Sequence, residues 1–378
     1  MTTSRHPGTG KQVRWQRAAA SCRCTRGFSL VETLVGLLIG LLGVLMIMKV
    51  ATLFQERRHG AVAGSQASGQ GAIAAYGLER ELRRAGYALG AAVGCRLQRF
   101  LDGAPLAAMQ LAPVTISANS SGGDVLVLRF GSQPAAVQHV RIAQPHPAGA
   151  TLIALPGTAG MKVADQVIVF EPGRDCLLLE ISAIDADAGI HHAPAASRWN
   201  ALPASAGSAA SGGEYTSAAA LINVGQLHMT EFAVQDGNLQ RRRYRPATND
   251  WNTEVVATGI LMLKAQYGFD ARPGITPDKQ LTSWSSNLID ANGDGIADAG
   301  DLQRIVAVRI AMLAQAGARE KPGPAGCDIT TTRPQWQQGT LDGSVAAAEF
   351  PMDEISDWQC YRYQVFENIV PLRNMLWQ

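Results

Sequence analysis

An α+β fold is predicted: a long N-terminal helix, its N-terminal half transmembrane, followed by a mostly antiparallel β-rich globular domain. Three observations carry this expectation. Residues Phe28 to Met48 are apolar except for Ser29, Glu32 and Thr33. From Gly90 onward the hydrophobic spacing changes from that of helices to that of strands. Glycine is abundant, at 39 of 378 residues, and only 17% of residues are charged, which suits a loop-rich, strand-rich extracytoplasmic body better than a helical cytosolic enzyme.

The apolar stretch comes first. About 20 apolar residues in a helix, at ~1.5 Å each, span a bilayer core of roughly 30 Å. The expected boundaries are a basic leader over 1–27, a transmembrane segment over 28–50 and a helical continuation over 51–88. The leader carries Arg5, Lys11, Arg14, Arg17, Arg23 and Arg26 and no acid, so the positive-inside rule places it in the cytoplasm. The body after Val50 is then periplasmic. Glu32 is the one charge within the apolar run. A carboxylate at the centre of such a helix costs about 2.5–3.5 kcal/mol, and less near its end, so it needs a compensating partner.

The continuation places Ile73, Tyr76, Leu78, Leu82 and Tyr87 at helical spacing among charged neighbours. Gly60, Gly64, Gly69, Gly71 and Gly77 weaken its middle, each by roughly 0.5–1 kcal/mol relative to alanine. Either one softened helix or two shorter helices joined by a loop is consistent with that pattern.

Strands are expected over 124–130, 137–143, 162–170 and 176–184. The Ala/Ser/Gly-rich stretch 193–213 reads as a flexible loop and a boundary between two lobes of the 89–378 domain. Residues 227–244 read as a hairpin closed by Asp236-Gly237, a strong two-residue turn signal. Its second arm holds Arg241, Arg242, Arg243 and Arg245, read either as a solvated edge strand that resists aggregation or as a contact to an acidic neighbour. Residues 258–270 read as a strand. Residues 305–314 are apolar throughout, and periodicity alone does not separate strand from helix there. A last strand is expected within 358–374.

Six cysteines are present. Cys22 and Cys24 fall in the leader. Cys95, Cys176, Cys327 and Cys360 remain, an even number in an oxidising compartment, with three connectivities open. Cys95–Cys176 with Cys327–Cys360 is favoured because these pairs are neighbours in sequence. No CxxC spacing points to a thiolate metal site.

One segment has metal-ligand spacing. In DANGDGIADAGD, Asp290, Asn292 and Asp294 stand at positions one, three and five of a calcium loop, with Gly295 at the sharp turn. Ile296 would offer its carbonyl, Asp298 follows at nine, and Asp301 closes the loop where a glutamate is usual. The expected cofactor is a structural Ca2+, a hard cation that takes six to eight oxygens. His191 and His192 adjoin Asp185 and Asp187, but adjacent side chains of an extended segment point oppositely, which argues against one shared site. The chain has no GxSxG, HExxH, Walker loop or Rossmann fingerprint, and a net charge of +2 predicts no nucleic-acid partner. An enzyme is not expected.

The basic arm, then Gly27, Phe28 and Glu32 in GFSLVE, resembles the class III signal of type IV prepilins. ELRRAGY after the helix, and the late strand followed by Pro371, Leu372, Arg373 and Asn374, resemble the PilW family of minor pilins. The resemblance implies a pilin-like fold, in which the second half of the helix packs on the globular sheet. It implies cleavage by a prepilin peptidase between Gly27 and Phe28 and N-methylation of Phe28. Glu32 would pair with the Phe28 amine of a neighbouring subunit. The implied function is a structural subunit in type IV pilus assembly and priming, at or near the filament tip. The implied partners are other minor and major pilins and the inner-membrane assembly platform. The implied location is the inner membrane, single-pass, and then the pilus. A type II secretion pseudopilin shares the same signal and stands as the alternative. A membrane-anchored periplasmic binding protein or enzyme is a further one, and a DNA-uptake pilin would present the arginine run to DNA.

Overall fold

A computed structural model describes residues 29–132, 139–200, 214–274, 276–322 and 326–376. The expected cleavage site at Gly27 and Phe28, and most of the 193–213 loop, lie outside the described residues. The chain divides into two units, Met1–Arg58 and His59–Gln378. Helix α1, Leu30–Leu82, is a continuous 53 residues, beginning in the first unit and ending in the second.

In the first unit, Leu30–Thr52 is long and apolar enough to cross a membrane, and none of it is buried. Leucine, valine, isoleucine and methionine side chains are exposed all round this segment. A helix apolar on every face, and left uncovered by the described residues, suits lipid or other apolar helices.

In the second unit, the glycines do not break α1. Its inner face is formed by Ala67, Gly71, Ala74, Leu78, Glu81 and Leu82, repeating every three or four residues. Gly71 is required by packing: a Cβ there would overlap the ring of Phe366. The small residues let the strand at Phe366 approach the helix closely. Leu78 and Leu82 join the largest apolar cluster, with Leu126, Phe232, Leu263 and Val308.

Two antiparallel sheets build this part of the molecule. One runs Asp250–Thr258, Asn238–Arg245, His228–Gln235, Asp124–Phe130, Val114–Ala118. The other runs Ser283–Ser285, Ile260–Phe269, Ile305–Gln315, Tyr363–Pro371. Gly259, with φ +71°, turns the chain from the first sheet into the second. The hairpin closes at Asp236 (φ 50°) and Gly237 (φ 70°), both left-handed, as a tight turn with positive φ at both central residues demands. Ile305–Gln315 is a strand. Its apolar run is continuous because both faces are covered: Val308, Ile310 and Met312 enter the largest cluster, while Ala311 and Leu313 pack with Trp336, Phe350 and Met352.

A six-stranded sheet draws short strands from between residues 96 and 225, and a three-stranded sheet of Ala183–Asp185, Gly189–His191 and Leu152–Ala154 is drawn from the same stretch of sequence. The strands here are shorter than expected: Val140–Arg141 within 137–143, and Gln166–Phe170 within 162–170. Arg96–Gln98 lies parallel to Cys176–Glu180. The Cys95–Cys176 disulfide fastens this parallel pair, with Cα atoms 5.9 Å apart. Cys327 is bonded to Cys360, Cα to Cα 4.8 Å.

Candidate membrane anchor and assembly site

Glu32 sits in the first turn of α1. Its amide and that of Thr33 donate to the Ser29 carbonyl at 2.9 and 3.1 Å, and Thr33 Oγ1 donates to the Leu30 carbonyl at 2.9 Å. An acid in the first turn is favoured by the exposed amides of a helix N-terminus. Leu30, Val31, Leu34 and Val35 surround it, all exposed. The arrangement presents one carboxylate on an otherwise apolar cylinder, and in a low-dielectric layer such a charge is costly unless it is paired.

At the far end of α1 the chain makes an internal ion network. Glu81 is 4% exposed and accepts from Arg241 Nη1 at 3.1 Å, Arg243 Nη2 at 3.0 Å and Arg84 Nη1 at 3.4 Å. Glu254 also pairs with Arg241, and with Arg243 at 3.5 Å; its hydrogen bond from Arg241 holds its carboxyl below the usual range. Arg242 pairs with Glu231 at 2.8 Å and Arg245 with Asp250 at 2.6 Å. The reading of this run as a solvated edge strand is therefore corrected. Asn238–Arg245 is an inner strand with a neighbour on each side, and its arginines are neutralised by acids of their own chain.

The C-terminal segment closes the same end of the helix. Asn374 Nδ2 donates to the carbonyls of Arg83 and Ala85, each at 3.1 Å, and so satisfies groups that a helix end leaves without partners. Asn368 Nδ2 donates to Glu79 at 2.7 Å. Gly86 (φ 77°) ends the helical turn in the left-handed region, and a Cβ there would lie 2.9 Å from Met375 Sδ. ELRRAGY and the Pro-Leu-Arg-Asn ending, separate in sequence, thus form one joint. Sequence reasoning did not single out Glu81 or Asn374 as a partner in it, because the signal is shared only across the fold.

The Asp290–Asp301 loop is wound on its own side chains. Asp290 accepts from the amides of Gly293 (2.7 Å), Asp294 (3.1 Å) and Gly295 (2.8 Å). Asn292 and Asp294 each accept from the amide two residues on, at 2.9 Å. Asp301, fully buried, accepts from Ala291 at 2.7 Å and Asn292 at 3.0 Å. It also exchanges capping bonds with Asp298 at the start of a short 3-10 helix. Ile296 is exposed. Among the described residues, no group of three or more His, Cys, Asp or Glu side chains is placed to hold a metal ion. His191 and His192 point to different surroundings: His192 is buried and His191 only partly so.

Residues 228–374 match the family model described as type IV pilus-assembly protein W. Neither the curated proteins nor the solved structures contain a match to the chain. The matched segment begins at the first residue of the arginine hairpin and ends at Asn374, the residue that caps α1. Over residues 228–374 the chain is thus similar to the type IV pilus-assembly protein W family.

Proposed function

We propose that this protein is a minor pilin, a structural subunit that assembles with other pilins and acts in priming the filament at or near its tip. The observation that carries the reading is Glu32 in the first turn of an uncovered apolar helix, in a chain whose residues 228–374 are PilW-like. A prepilin peptidase removes residues 1–27 and methylates the Phe28 amine. Glu32 then offers a carboxylate to the Phe28 amine of an adjoining subunit. Each charge is costly alone in a low-dielectric layer, and the cost falls when the two meet. The protein works by docking rather than by catalysis. Replacing Glu32 by Ala, expressed at the wild-type level in cells lacking the native copy, reduces surface pili at least tenfold; unchanged piliation contradicts the reading.

Calcium in the Asp290–Asp301 loop is proposed as a structural ion. The carboxylates of Asp290 and Asp294 each accept amide hydrogen bonds within the loop, and a carboxylate has further lone pairs for a hard cation. Titration calorimetry of the full chain in micelles then gives a calcium heat that Asp294→Ala abolishes. No heat from the wild-type chain removes the ion from the account.

A further inference from the structure

Two imidazoles meet inside a second apolar cluster, formed by residues such as Ile142, Ile153, Ile190 and Tyr215. His146 Nε2 and His192 Nε2 lie 3.0 Å apart, and the residues are 4% and 2% exposed. They arrive on different segments. His146 exchanges two backbone hydrogen bonds with Tyr215, each 2.8 Å, extending the pairing of Val140–Arg141 with Ala220–Gly225 at the edge of the six-stranded sheet. His192 follows Gly189–His191 of the three-stranded sheet, and its amide donates to the Thr151 carbonyl at 2.8 Å.

At this separation one nitrogen carries the hydrogen and the other accepts it. Among the described residues, no other residue hydrogen-bonds the buried His192 Nδ1. One ring therefore donates through Nε2 and the other accepts, an arrangement that is complete with both rings neutral.

We propose that His146 and His192 form an acid-sensitive clasp between the three-stranded sheet and the edge of the six-stranded sheet, closed at neutral pH and released by protonation. A proton on the accepting Nε2 sets N–H against N–H and places a charge in an apolar site. Burial first, and the neighbouring His146 second, push His192 down to about 4. His191 is next in the chain and lowers His192 further. Beyond Tyr215, whose hydroxyl donates to the Asp175 carbonyl at 3.0 Å, stands the Glu171–Arg174 ion pair at 3.6 Å. None of them hydrogen-bonds His192.

The sign follows from linkage. A histidine lowered in the fold favours the closed state above its ordinary value near 6.5, and that preference is lost as pH falls from about 6.5 towards 4. Hydrogen exchange of the full chain in micelles, corrected for intrinsic rates, tests this. Protection at the amides of His146, His192 and Tyr215 falls about tenfold per pH unit between pH 6 and 4.5 for each proton taken up. Protection in Ile305–Gln315 stays level. His146→Gln, which keeps an acceptor but does not titrate, makes the slope shallower, while His192 stays buried and still takes up its proton. No slope in the wild type, or an equal slope in His146→Gln, overturns the clasp. Should that variant not fold, nitrogen-15 spectra of wild-type histidines decide. A neutral His192 ring with no titration near 6.5 supports the clasp, and a midpoint near 6.5 overturns it.

Discussion

Glu81 shows how one buried carboxylate organises its surroundings. It is shared by Arg241 and Arg243, and a buried ion pair that loses one partner costs about 3–5 kcal/mol. Arg243 is nearly half exposed, so Glu81→Ala is expected at the low end, about 3 kcal/mol. Glu254→Ala, at a more exposed carboxylate, is expected to cost about 1 kcal/mol or less. Urea unfolding of the full chain in micelles measures both, and equal losses would remove the special place given to Glu81. A second residue-scale prediction concerns Gly71. Its alanine variant has to displace the Phe366 ring, and overpacking of this kind costs about 1–3 kcal/mol, read from the same curves. Neither effect was legible in the sequence. Glu81 is one of two acids in ERELRR, and Arg241 stands 160 residues away. Gly71 reads as a weak point of a helix until the strand beside it is known.

Elements were legible wherever their signal is local. The apolar run of α1 and the Asp236-Gly237 hairpin both follow from short-range patterns, and both appear with those residues in those roles. The short strands of the six-stranded sheet were legible only in part. With two to six residues each, they offer too little alternation to fix their ends. The Ile305–Gln315 run required the fold, since a strand covered on both faces and a buried helix look alike in sequence. The disulfides act at this scale. Cys327–Cys360 closes a separation of 33 residues, and chain-entropy estimates give about 4 kcal/mol for a loop of that size. The Cys327→Ser/Cys360→Ser chain is expected to lose about that much in the same unfolding assay. Ion pairs flank the crosslink, Arg319 with Asp357 at 2.9 Å and Arg362 with Glu320 at 3.0 Å. A loss below about 1 kcal/mol would mean that such contacts already restrain the segment without it.

For the whole molecule, two regions carry the functional reading, each argued on its own ground. The N-terminal segment offers an uncovered apolar helix with one acid in its first turn. The PilW-like segment closes the C-terminal end of α1 through Asn374 and through the arginines around Glu81. The first was legible because a membrane imposes length and apolarity on the sequence itself. The second was legible only as two fragments, because the joint between them exists in space and not along the chain. The central claim is that this chain works as a processed pilus subunit. Mass spectrometry of the protein recovered from sheared pili tests it most directly. The account predicts a mature chain beginning at N-methylated Phe28; a chain that still carries residues before Phe28, or its absence from the pilus fraction, would contradict it.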